Sequence, residues 1–147
     1  RYVTQFGGPG TEAGQLDEPV GIAVDSAGQI YVADTWNQRI QVFAPDTTGT
    51  NLVPVVQWEI AGWYGQSTEN KPFLALDAQR HVFVTDPEGY RVLELTSHGE
   101  IVRSWGHYSV GTEGFGLPAG LATDAEGGIW VTDAANHRLL HFVLTRE

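Results

Sequence analysis

Nine charged residues raise the first chemical question in this chain. Asp25, Asp77 and Asp124 are each followed nine residues later by a second aspartate, Asp34, Asp86 and Asp133. Five residues further on come Arg39, Arg91 and Arg138. Carboxylates at fixed spacing invite a catalytic or metal-binding reading, because they can move protons or ligate cations. The structural reading is the stronger one. Asx side chains cap tight turns by accepting backbone N–H bonds, and an arginine five residues on can pair with the aspartate or span to the next repeat. A device present once per repeat is structural in character, whereas catalytic sites are usually asymmetric. All nine are assigned as structural repeat residues and none as catalytic.

The remaining chemistry is sparse. His81, His98, His107, His137 and His141 include no pair at the helical spacing of zinc ligands. The chain has no cysteine, which removes disulfides, thiol catalysis and cysteine metal sites. No Ser-His-Asp constellation is visible. The GGPG run at residues 7–10 is a turn with no helix to follow, unlike a phosphate loop. No catalytic residue, metal or cofactor is expected.

Segments 25–43, 77–95 and 124–142 align over 19 residues without a gap, which is the signature of a repeat architecture. Each copy reads as a meander of short strands. An apolar inner run (residues 20–24, 73–76 and 119–122) has the look of a strand buried on both faces. A turn follows at residues 26–28, 78–80 and 125–127. The next strand, at 30–33, 82–85 and 129–132, is β-branched and aromatic. A third strand starts at each arginine, and a fourth is read at 53–58 and 101–105. Tyr31, Phe83 and Trp130 are read as core, and Trp58, Trp105 and Phe6 as packing between repeats. Four antiparallel strands per repeat make the blade of a propeller. The expected fold is all-β, a single domain over residues 1–147 with three four-stranded blades near 20–60, 72–105 and 118–143.

These residues resemble the NHL repeat of six-bladed β-propellers. The resemblance is carried in copy one by Gly14-Gln15-Leu16, Pro19, Gly21-Ile22-Ala23-Val24-Asp25, Gly28, Tyr31-Val32-Ala33-Asp34, Asn37, Arg39 and Val42-Phe43. Copy three offers Leu117-Pro118, Gly120, Asp124, Gly127, Asp133, Asn136 and Arg138. Copy two departs from the pattern at Phe73, Arg80 and Gly89 but keeps both aspartates and the arginine. The resemblance specifies fold far better than function. Peptide-amidating lyases resemble NHL propellers and hold a catalytic zinc through histidines at the start of inner strands. The matching positions here are Gly21, Phe73 and Gly120, so that activity is not implied. Gluconolactonase-type and antibiotic-lyase propellers need polar ligands lining the channel, and VGIAV, PFLAL and AGLAT offer almost none.

With 147 residues the chain can bury the core of one domain. Eighteen acidic residues oppose eight basic ones, a net charge of −10. Such a balance cannot build the basic patch that nucleic acids or anionic membrane surfaces require. No apolar run approaches the roughly 20 residues of a membrane span, and no signal peptide opens the chain. With no methionine anywhere, the chain reads as a processed or excised piece of a larger protein, natural or engineered. Residues 1–6 read as an outer strand ahead of the first blade, since residues 2–6 and the glycines after them match 102–105 and Gly106. Copy three lacks its fourth strand. Propellers close their ring when a terminal outer strand completes the blade at the other end, which abolishes exposed edges. Two copies would supply six blades. The chain is therefore expected to be its own partner, a homodimer closed by strand exchange.

Aromatic residues collect in two sets of loops that open on one face. The long connections at 7–18, 61–71 and 106–117 carry Trp63, Tyr64, His107, Tyr108 and Phe115, and the short second-to-third turns carry Trp36, Tyr90 and His137. Loops on a rigid scaffold are where binding concentrates, and aromatic rings give large contact area. The candidate ligand-binding set is Trp36, Trp63, Tyr64, Tyr90, Tyr108 and His137. An acidic module selects a neutral or cationic ligand, a peptide segment or a glycan. The expected function is a non-enzymatic binding or scaffold module. The alternatives are a metal-dependent lyase or hydrolase of propeller type and a purely structural, self-assembling repeat. The WYGQ, ENKP and DPEGYRV segments resemble bacterial NHL domains of surface and membrane-attached proteins, which implies an extracytoplasmic placement.

Overall fold

The computed structural model describes residues 1–60, 63 and 70–145. These residues form eleven strands and no helix. The first sheet runs β1 (Pro19–Val24), β2 (Ile30–Asp34), β3 (Arg39–Pro45) and β4 (Leu52–Glu59). The second runs β5 (Leu74–Leu76), β6 (Val82–Asp86), β7 (Arg91–Leu95) and β8 (Ile101–Trp105). The third holds β9 (Pro118–Thr123), β10 (Gly128–Asp133) and β11 (Arg138–Val143). Strands pair in chain order within each sheet, all antiparallel. The central hairpins share one register: Asp34 stands opposite Arg39, Asp86 opposite Arg91 and Asp133 opposite Arg138. Residues 1–8 pair in no strand, and no fourth strand joins β11 among the described residues.

The period of two in a strand places Tyr31 and Ala33 on one side of β2, and Ile30 and Val32 on the other. The sheets stack through these alternate sides. Tyr31, Ala33, Ile40, Val42 and Trp58 pack on Leu74, Val82, Val84, Leu93 and Leu95. One blade on, Phe83, Val92 and Trp105 pack on Ile129, Val131, Leu140 and Phe142. A ring such as Phe83, fully buried in this joint, stabilises it by about 2–3 kcal/mol. Inner strands lie side by side, β1 against β5 and β5 against β9. These are the relations of successive propeller blades.

Two expectations need correcting, for one reason. The inner run of copy one is not buried on both faces: Ile22 is 64% and Val24 60% exposed, against 5% for Leu74 in β5. Trp130, expected in the core beside Tyr31 and Phe83, is 37% exposed. The second blade has a neighbour on each side, whereas the first and third have one each, so each leaves an apolar side uncovered.

Candidate functional site

The recurring charged residues form two devices. Asp25 Oδ1 accepts the N–H groups of Ala27 and Gln29, each at 2.9 Å. Asp77 Oδ1 does the same for Gln79 and His81, and Asp124 Oδ1 for Glu126 and Gly128. These carboxylates cap the turns between first and second strands.

The second device pairs aspartate and arginine at one end of each central hairpin and, in the first and third blades, joins that end to the connection that precedes the blade. Asp34 Oδ1 accepts the Asp17 N–H at 2.7 Å, and Oδ2 accepts from Arg39 Nε at 2.7 Å and Asn37 Nδ2 at 2.9 Å. The Arg39 guanidinium then donates to the carbonyls of Thr11, Glu12 and Gln15. Asp133 repeats the pattern with Gly116, Leu117, Asn136 and Arg138, and Arg138 reaches the carbonyls of Val110, Gly111 and Gly114. In the second blade Arg91 Nε meets Asp86 Oδ2 at 2.7 Å. Burial pushes the Asp133 carboxyl up. The Leu117 N–H, Asn136, Arg138 and the Gly116 N–H outweigh burial and hold it below the usual carboxylate value. Oxygens so occupied with backbone and arginine are anchors for the loops. Among the described residues no group of three or more His, Cys, Asp or Glu could hold a metal ion.

One member of this network escapes sequence reasoning. Gln41, fully buried, accepts the Gly14 N–H at 2.9 Å and donates to the Gln15 carbonyl and to Asp34 Oδ2. Leu93 and Leu140 occupy its place in the other copies. The only signal was a polar residue inside β3, which is otherwise apolar after Arg39.

On the loop face the structure brings two small groups together. Tyr90 and Tyr108 meet edge to face with centroids 5.2 Å apart, and Tyr108 is 68% exposed. Trp36 lies under Lys71, whose ammonium is 5.4 Å from the ring centroid and 2.6 Å from Glu18 Oε2. Lys71, and then Trp36, hold the Glu18 carboxyl below its usual value. His137 is exposed on the turn between β10 and β11. Gln38, Tyr90 and His137 share one turn position, and each has a φ of 53°. Trp63 is a correction. It is 1% exposed within the joint between the first two blades, in one cluster with Ile60, so it fills core and offers no ligand contact. Tyr64 lies outside the described residues.

The stacked antiparallel sheets and their adjacent inner strands define the class: these are the blades of a β-propeller. The family model described as NHL repeat matches residues 16–43 and 115–142, which are copies one and three. The chain is similar to the B-box type zinc finger protein ncl-1 of Caenorhabditis elegans, 55% identical over 42 residues, covering 29% of this chain and 5% of that protein. It is 50% identical over 40 residues to the E3 ubiquitin-protein ligase TRIM71 of Xenopus tropicalis, covering 27% of this chain and 5% of the ligase. The chain thus spans about a twentieth of the length of these curated relatives. Among solved structures, virginiamycin B lyase from Staphylococcus aureus superposes with a TM-score of 0.53 at 15% identity, over 84% of this chain and 40% of the lyase. That likeness shows the fold alone.

Proposed function

We propose that the chain is a non-enzymatic binding module that captures a neutral or cationic peptide segment on its loop face. The observation that carries this reading is the Tyr90–Tyr108 pair, half-buried Tyr90 against exposed Tyr108, beside the Asp–Arg anchors. Aromatic rings on a rigid support bind at low entropic cost. The net charge of −10 favours a ligand with basic groups. A glycan is the competing ligand, and paired peptide and glycan arrays distinguish the two. Tyr90→Ala with Tyr108→Ala should keep the β-sheet circular dichroism and lose capture of the peptides that the parent chain selects. Retained capture places the site elsewhere. The rival, a metal-dependent lyase or hydrolase, requires a channel metal with at least three protein ligands, and elemental analysis of the purified chain tests it. The extracytoplasmic bacterial placement belongs to the same proposal and rests on resemblance.

Self-assembly is the second part of the proposal: two copies close into one six-bladed ring. It is supported by the uncovered apolar sides of the first and third blades. Light scattering after gel filtration should give twice the 16.0 kDa chain mass.

A further inference from the structure

Residues 1–16 correspond to residues 100–115 position for position. Phe6 matches Trp105, and Gly7 matches Gly106, with φ of 87° and 103°. The isolated parallel bridge Pro9↔Leu16 recurs as Tyr108↔Phe115. Residues 2–6 are thus the counterpart of β8, set down where the outer strand of a preceding blade belongs. Beside them lies an apolar groove of about 360 Å³ lined by Phe6, Leu16, Ile22, Ile30, Val32 and Phe43.

The joint between the second and third blades shows what such a groove holds. Its lining is Trp105, Phe115, Leu121, Ile129, Val131 and Phe142, the same six positions, and Phe83 from β6 fills it. The counterpart of Phe83 in the third blade is Trp130. Its indole is fixed on the uncovered side of β10, stacked on His141 with centroids 4.0 Å apart and donating from Nε1 to Asp124 Oδ2 at 2.9 Å. Side-chain sizes change in compensation. Trp130 is larger than Phe83, while Phe6 and Leu16 are smaller than the Trp105 and Phe115 they replace. A groove widened by two smaller residues matches a larger ring, and such volume-conserving exchange keeps a joint close-packed.

We propose that this groove seats Trp130 of a second copy, and that residues 2–6 pair with β11 of that copy with Phe6 opposite Leu139. The proposal rests on the self-assembly reading and adds the seat and the register. The register is that of β7 and β8, where Val92 faces Trp105, Leu93 faces Ser104 and Glu94 faces Arg103. Carried over, Leu139 faces Phe6, Leu140 faces Gln5 and His141 faces Thr4. Two such joints are related by a two-fold axis, so both free sides and both free edges are covered at once.

The absence of cysteine makes the test clean. Opposed residues in an antiparallel pair have Cα atoms about 4.5–5.5 Å apart, within the range a disulfide spans. Gln5→Cys with Leu140→Cys should oxidise to a covalent dimer on a non-reducing gel, and Gln5→Cys with Val143→Cys, three residues out of register, should not. Trp130→Ala removes a half-exposed ring, so the circular dichroism should be unchanged while the dimer dissociation constant rises at least about tenfold. A dimer by light scattering that fails to cross-link through positions 5 and 140, or that ignores Trp130→Ala, overturns the seat and register and leaves self-assembly standing. A monomer at all concentrations overturns both.

Discussion

At the scale of single residues, the Asp–Arg anchors carry the sharpest energetic consequences. Arg39 and Asp34 are both buried, with side-chain exposures of 6% and 0%. Asp34→Ala strands the guanidinium without its counter-charge, a loss of about 3–5 kcal/mol that urea denaturation should register. Asp86→Ala should cost clearly less, because Arg91 is 32% exposed and can turn to water. The pH dependence follows from the lowered carboxyls. Hydrogen bonds, from the Thr48 hydroxyl first, lower Asp46 to about 2, and the anchor network lowers Asp133. A depressed folded pKa adds stability above the unfolded value of about 4. That stability fades as pH falls through the folded values. The urea midpoint should therefore hold from pH 7 down to about 5 and drop between about 4 and 2. The pairing of each arginine with its aspartate, five residues apart, and the turn caps were legible because they act locally at a spacing repeated three times; the carbonyls that Arg39 and Arg138 reach, 24 to 28 residues away, were not. Gln41 and Lys71 were not, since their partners, Gln15 and Glu18, lie 26 and 53 residues away. Nor does sequence distinguish Trp63, turned inward, from Tyr108, turned outward. Both are loop aromatics, and only the packing beneath each loop separates them.

At the scale of elements, the strands were readable from alternation, and the turns from the aspartate that caps each of them. What alternation does not report is which strands have neighbours on both sides, and so the burial of β1 and β10 was overstated. A second hidden feature is the left-handed turn position shared by Gln38, Tyr90 and His137. None of the three is glycine, the residue that adopts this conformation without steric cost, and a side chain there costs roughly 1–2 kcal/mol. Gln38→Gly should leave stability unchanged or raise it by up to about 1 kcal/mol. Gln38→Val should lower it by more than that, because branching at Cβ sharpens the clash. Thermal melts of the two variants test the difference.

At the scale of the whole molecule, the number and phase of the blades were visible in the sequence. The covering of the end faces was not, because it depends on the curvature of the stack and on a second body. If two chains close the ring, the folded state is linked to chain concentration, and the melting temperature should climb with it. Deleting residues 1–6 should abolish that climb while leaving the dilute-limit melt almost unmoved, since these residues pair in no strand of their own chain. A melt that ignores concentration in both forms would count against closure. The unpaired edge of β11 then acquires a meaning in time. Hairpins form within microseconds, so each chain completes its own blades long before it encounters another. Between those events it lives as an open-ended ribbon whose exposed backbone recruits whatever strand arrives first. On the self-assembly proposal, the wait for a second copy shortens as chain concentration rises, and with it the fraction of chains whose β11 edge stays open to other strands.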